Sequence, residues 1–247
     1  VATPFILTDV RMYAGGCDLT GYSNTVELAP SAEEKDKTTF ASGGWKEIAA
    51  GLKGGRIAGS GFWEAGDLSI VDNMSWAELG GGSTAWTIAP NTADVGDLAY
   101  IARAMEAEYK LGGQVGELAP WSATNTTNWP IGRGVMLHPS GTARTATGDG
   151  TGVEHVAVAA GQYVYATLHV LSIAGTDTPT ITVVIESDVD ALFNGSESTR
   201  ITFDAATAIS GQIKRTAGAI TDTFWRATWT IAGTDPSFLF AVGLAVA

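Results

Sequence analysis

Three histidines, one cysteine and a scatter of acids are the residues of this sequence best able to do chemistry. His138, His155 and His169 share no ligand spacing with one another or with Cys17. A zinc tetrad or a nucleophile–base pair needs such side chains to converge. Their pattern reads instead as ordinary strand histidines. Glu186, Asp188, Asp190 and Glu197 occupy positions 1, 3, 5 and 12 of a calcium-loop template, but Ala191 stands where the sharp turn needs glycine and no helices flank the run. A solvated acidic loop is the better reading. GLKGGR lacks the GK[ST] ending of a phosphate-cradling loop, and GGGST follows no clear strand. Trp45, Trp63, Trp76 and Trp86 have the chemistry of a sugar platform, although aromatics on element faces more commonly serve a core or an interface. No acid–base set converges, so neither an enzyme nor a cofactor is expected.

Composition narrows the field further. Apolar residues make up 45% and charged residues 16% of 247, the balance of a packed globular chain. Glycine is abundant, at 31 residues, and Thr, Ala and Val are plentiful, which favours strands joined by tight turns. Acids outnumber bases 26 to 14, for a net charge of −12, and the bases form no cluster. A phosphate backbone would be repelled rather than gripped. Cys17 is alone, so no internal disulfide forms and assembly in a reducing cytosol is expected. No apolar run approaches the roughly 20 residues of a membrane helix, and no cationic-then-apolar leader opens the sequence. Asn125-Thr126-Thr127 matches a glycosylation sequon that carries no meaning without a secretion route.

The elements that would position these residues are mostly strands. FILTDVRMY (5–13), NTVELAP (24–30) and RIAGSGFWEAG (56–66) show the alternation and β-branching of strands. Between them, Ser42 as N-cap and Trp45, Ile48, Ala49 and Leu52 at helical spacing predict a short helix stopped by Gly54 and Gly55. Residues 97–111 fit a helix or a strand, their residue types favouring the helix. Residues 140–152 lack an apolar anchor and read as a loop or linker dividing a domain at 1–139 from a β-rich domain at 153–247. Within the latter, IAGTDTPTITVVI (173–185) and IAGTDPSFLFAVG (231–243) are self-similar. A larger echo of residues 33–63 would set a second short helix within 186–203.

Taken in order, several residues form a recognisable series: Phe5, Leu7 and Asp9; Gly16, Asp18 and Leu19; Val26 and Leu28; Glu33, Asp36, Thr38 and Phe40; Gly51, Leu52 and Lys53. This series, over about residues 4–66, resembles the tail tube (major tail) proteins of long-tailed, siphovirus-type bacteriophages. VGEL (115–118) and the ending WRATWTIAGTDPSFLFAVG are also similar to phage tail proteins.

The resemblance implies a mainly β fold: a β-sandwich or barrel-like tail-tube domain with one short flanking helix, plus the C-terminal β-rich part. It implies a structural virion protein whose copies close into rings and stack into a hollow tube through which DNA is ejected. Its expected partners are further copies of itself and other tail proteins such as the tape measure, tail terminator and distal tail proteins. DNA would pass the lumen without specific binding, and no membrane is involved. The length leaves two readings of the C-terminal half, a second fused tube domain in a pseudo-hexameric trimer or an outward decoration domain on a hexamer, with the hexamer preferred. Trp45, Ile48 and Leu52 are expected in the structural core, Glu106, Glu108 and Glu117 facing the lumen, and Glu33, Glu34 and Asp36 on a ring-stacking loop. The rival reading is a virion decoration or carbohydrate-binding β module.

Overall fold

A computed structural model describes residues 6–64 and 70–247. Phe5, Ala65 and Gly66, which belong to strands expected from the sequence, lie outside the described residues. The fold is mainly β. The first half builds β1 (Arg11–Ala14), β2 (Cys17–Asp18), β3 (Ser23–Asp36), β4 (Ile48–Phe62), helix α1 (Ile70–Glu78), β5 (Thr84–Ala89), β6 (Leu98–Leu111), β7 (Pro120–Thr127) and β8 (Gly132–His138). The second half adds β9 (Gly148–Asp149), β10 (Val153–Glu154), β11 (Tyr163–Asp188), β12 (Ser198–Thr202), β13 (Ser210–Ala217) and β14 (Phe224–Val246). One antiparallel path runs β12-β11-β14-β8-β6-β5-β1-β2. From it, β7, β4 and β3 branch off β6, while β13 pairs with β11 and the short β9 and β10 pair with β14.

Two apolar clusters account for most of the core. One gathers Met12, Leu19, Ile57, Val71, Trp86, Ile88 and Trp121 from the first half. The other gathers Leu168, Ile181, Ile185, Phe203, Trp225, Phe238 and Phe240 from the second. Burying such side chains contributes roughly 1.5–3 kcal/mol each. The seam between the halves is tight and polar. Thr87 on β5 bonds Thr167 at 2.6 Å and His169 Nε2 at 2.9 Å, both on β11, and Tyr13 Oη bonds Ser140 Oγ at 2.8 Å. At Gly16 a Cβ would stand 2.6 Å from the backbone carbonyl carbon of Ser210, so only glycine permits this approach.

The two similar segments of the second half pair with each other. Thr176 faces Thr234, Ala174 faces Ser237 and Ala232 faces Thr180, so equivalent residues exchange places about a local twofold. Gly175 (φ 127°) packs against Pro236, and Gly233 (φ 115°) packs against Pro179. On either side of this crossing the β11–β14 ribbon continues, with one further register shift between Val170 and Ser172, and side chains from both of its arms enter the same cluster. The ribbon therefore folds over upon itself.

Three sequence expectations are corrected. No α-helix forms over 42–52: Phe40–Ser42 make one 3-10 turn and Ile48 opens β4. An isolated short helix is unstable without a docking face, whereas here each residue from Ile48 to Ala50 joins the β3 ladder. The flanking helix is α1, further along the chain. Residues 189–197 between β11 and β12 are bends, a turn and irregular backbone, so the second short helix expected within 186–203 is absent. Residues 97–111, where residue types favoured a helix, make strand β6.

Residues 140–152 are fastened rather than loose. Arg144 bridges Phe238 through both backbone groups, Ala146 O accepts from Trp229 Nε1 at 3.0 Å, and Gly148–Asp149 pair with β14.

Candidate assembly surface

β3 and β4 pair over their whole length, but β7 supports β4 only from Arg56 to Phe62. Beyond Gly55 no further strand pairs with the hairpin among the described residues, and it stands as a two-stranded arm. Its tip is ordered by its own bonds. Thr38 N donates to Asp36 Oδ1 at 2.8 Å, Glu47 N donates to Thr38 Oγ1 at 2.8 Å, and Thr39 and Ser42 cap each other reciprocally. Gly43 and Gly44 turn the chain at φ 62° and 85°. The hydrogen bonds to Asp36 keep its carboxyl below the usual carboxylate range. On this arm, Trp45 is 81% and Leu52 77% exposed, with Ile48 and Phe40 also exposed. The expectation that Trp45, Ile48 and Leu52 form the core of the chain is therefore overturned. Four exposed large apolar side chains on one short arm are more than a soluble monomer ordinarily leaves to water.

Register fixes what each face of the arm presents. Glu34 lies opposite Ala50 and Asp36 opposite Ile48, so both carboxylates share a face with Ile48, while the register shift between Ala32 and Glu34 takes Leu52 out of that alternation. Lys35 pairs with Glu33 at 2.6 Å and Lys37 with Glu47 at 3.6 Å. Among the described residues, Glu34 and Asp36 have no cationic partner. Glu33, Glu34 and Asp36, expected on a loop, stand on strand β3. The outer edge of β3 is unpaired among the described residues, leaving main-chain groups available for another strand.

A second exposed apolar surface follows β6. Leu111, Val115 and Leu118 are exposed, and a cavity of about 340 Å³ lies among Trp63, residues 111–115, Glu117 and Ala119. Glu117 is exposed here, and exposed Glu108 pairs with Lys110 at 2.9 Å.

Glu106 behaves otherwise. It is 1% exposed, which removes it from any open lumen wall. Burial, with the Glu78 charge adding to it, raises its carboxyl to about 7. It lies opposite Asn125 in the β6–β7 ladder, and Leu79, just after α1, bridges it through the backbone.

No protein-family model matches the chain, and no curated protein matches it in sequence. Solved structures do match. A chain from the virion of a native gene transfer agent particle aligns at TM-score 0.40 and 17% identity, over 50% of this chain and 93% of that one. The Dit protein of phage SPP1 aligns at 0.39 and 13%, over 96% and 99%. A chain of the anti-feeding prophage baseplate aligns at 0.40 and 9%, over 54% and 97%. These are phage-type tail and baseplate particles. At such scores the likeness is loose and carries no functional conclusion.

The remaining chemical candidates stay apart. His138 is buried, its Nδ1 bonding Phe240 O and its Nε2 accepting from Arg144 Nε at 3.1 Å. His169 is buried in the Thr87 network. Burial holds them at about 4 and about 3 respectively, so both are neutral. Glu186 of the calcium template is bound to Arg226 at 2.8 Å, and Asp188 Oδ1 accepts from Asp190 N and Ser196 Oγ. Among the described residues no group of three acidic, His or Cys side chains is placed to hold a metal ion. Trp86 is buried, Trp63 packs beside it, Trp45 stands on the arm and Trp76 on the outer face of α1, so no common platform forms. Asn125 is buried as well.

Proposed function

We propose that this chain is a structural protein of a phage-type virion tail, whose copies associate into rings that stack into a hollow tube. The observation that carries this reading is the β3–β4 arm, with its exposed Trp45, Ile48 and Leu52 and the unpaired edge of β3. Such an edge is completed by strand pairing with another chain, and head-to-tail contacts of one surface with another close into rings. Part of the series that carries the resemblance to tail tube proteins lies on this hairpin, with Val26 and Leu28 at its supported base. Val26, Leu28, Glu33 and Asp36 lie on β3, Thr38 and Phe40 in the tip, and Gly51, Leu52 and Lys53 on β4.

Residues 1–139 and 153–247 act in this reading as two fused β units strapped by 140–152. The separate apolar clusters support it. The net charge of −12 suits a lumen that lets DNA slide without gripping it, with exposed Glu108 and Glu117 as wall residues. Other tail proteins would meet the two ends of such a tube, in a virion assembled in the host cytoplasm. The hexamer is the preferred ring if the second unit faces outward as decoration, and a pseudo-hexameric trimer if it is itself a tube unit.

Negative-stain microscopy of the purified chain tests this. Rings or filaments are expected; a small, monodisperse particle at every concentration would overturn it.

A further inference from the structure

Arg103 on β6 and Arg215 on β13 each place their guanidinium carbon 4.7 Å from the centroid of Trp129, and Arg215 also lies 4.5 Å from that of Tyr163. Tyr165 meets Trp129 edge-on at 5.7 Å. The stack bridges the two halves of the chain, since Arg103 and Trp129 come from the first and Arg215, Tyr163 and Tyr165 from the second. Eight bases of this acidic chain are held by carboxylates within 4 Å. Among the described residues Arg103 and Arg215 are not, although acids far outnumber bases. Two guanidiniums collected on one indole repel each other, and each retains donors suited to a carboxylate.

We propose that this Arg–Trp–Arg platform is the receptor for the acidic face of the β3–β4 arm of a second copy. The inference rests on the assembly reading above and names the surface that receives the arm. Glu34 and Asp36 are two residues apart on one strand face, which sets their Cα atoms roughly 7 Å apart. The two guanidiniums gather on one ring, each 4.7 Å from its centre, so a pair of positive groups is offered to the pair of carboxylates. Ile48 lies beside the carboxylates on that arm face, and Trp129 and Tyr163 lie beside the guanidiniums. Charge therefore meets charge and apolar surface meets aromatic surface. Aromatic and Arg side chains together are the usual anchors of such contacts.

The test is a charge swap followed by sedimentation velocity. The wild-type chain associates, and less so as salt rises. Arg103→Glu with Arg215→Glu weakens association at least tenfold. Mixing that variant with a Glu34→Lys, Asp36→Lys chain restores mixed assemblies. Should the reversed variant fail to fold, Arg103→Gln with Arg215→Gln decides, and is expected to lose association and its salt dependence together. A wild-type chain that stays monomeric at every concentration sinks both this inference and the assembly reading. A wild type that assembles, with the variants assembling equally, overturns this inference alone. Loss of assembly without rescue by the swapped arm, together with inorganic phosphate or short duplex DNA binding to the platform, would also overturn it.

Discussion

Glu106 and Asn125 face each other across β6 and β7, both buried, and Glu106 Oε1 and Asn125 Nδ2 each lack a partner among the described residues. Ser75 Oγ on α1 is a third such atom. A neutral Glu106 suits this site far better than a charged one. Its carboxyl is raised from 4.5 to about 7, so the unfolded chain releases the proton first and stability falls as pH rises from about 4.5 to about 7. The full penalty above that window is roughly 3 kcal/mol. Glu106→Gln should match the wild type at about pH 4 and below and exceed it by up to about that amount at pH 8, read by thermal unfolding. Equal pH profiles would refute the buried neutral acid.

The buried histidines give the opposite sign. His138 and His169 are held at about 4 and about 3, below the ordinary 6.5. Their contribution is complete above pH 6.5 and is lost as pH falls toward those values, because the unfolded chain takes up protons first. Imidazole NMR resonances of both should stay in the neutral position down to about pH 5. Titration of either near 6.5 would place it at solvent.

Thr87→Val removes a hydroxyl that serves Thr167 and His169 together. Two buried partners then lose their bond, and unpaired buried polar groups cost about 1–3 kcal/mol each. Urea unfolding should show a loss of at least about 1 kcal/mol, with the two halves loosening at their seam. A neutral outcome would mean that water takes the hydroxyl's place.

Trp45→Ala and Leu52→Ala should leave the free chain's stability within about 0.5 kcal/mol of wild type, as exposed substitutions do. Both should weaken self-association. Melting curves of the dilute chain and sedimentation at higher concentration separate the two effects. A loss of several kcal/mol in the dilute chain would return these side chains to a core.

Much of the strand content was legible, because the second half alternates cleanly and is punctuated by Gly, Pro and Asp. The arm was not. Ile48 and Leu52 are four residues apart, a spacing that places side chains on one face of a helix and equally on one face of a strand. Only the ladder with β3 decides between them, and that pairing is not local. Glu106 was misplaced for a related reason. Once β6 is a strand, Ala102, Ala104 and Glu106 point the same way, and the two buried alanines take the carboxylate inward with them. With a helix still favoured for 97–111, that alternation went unused. The resemblance to tail tube proteins implied a helix between the two strands, where the structure has a hairpin tip. The Arg103–Trp129–Arg215 platform left no local signal, since its members come from β6, the β7–β8 connection and β13.

The crossing at Thr176 and Thr234 has a mechanical meaning. Both arms of the folded ribbon are made by the same two strands, so neither face of the C-terminal unit can peel away without dragging on the other. Force entering at Phe224 is carried along continuous backbone to Val246, through the crease at Gly175 and Gly233. A part that must transmit tension without opening is well made this way. Inserting a residue into only one of the two strands at that crease would throw its whole remaining length out of register, whereas matched insertions in both would leave the symmetry intact.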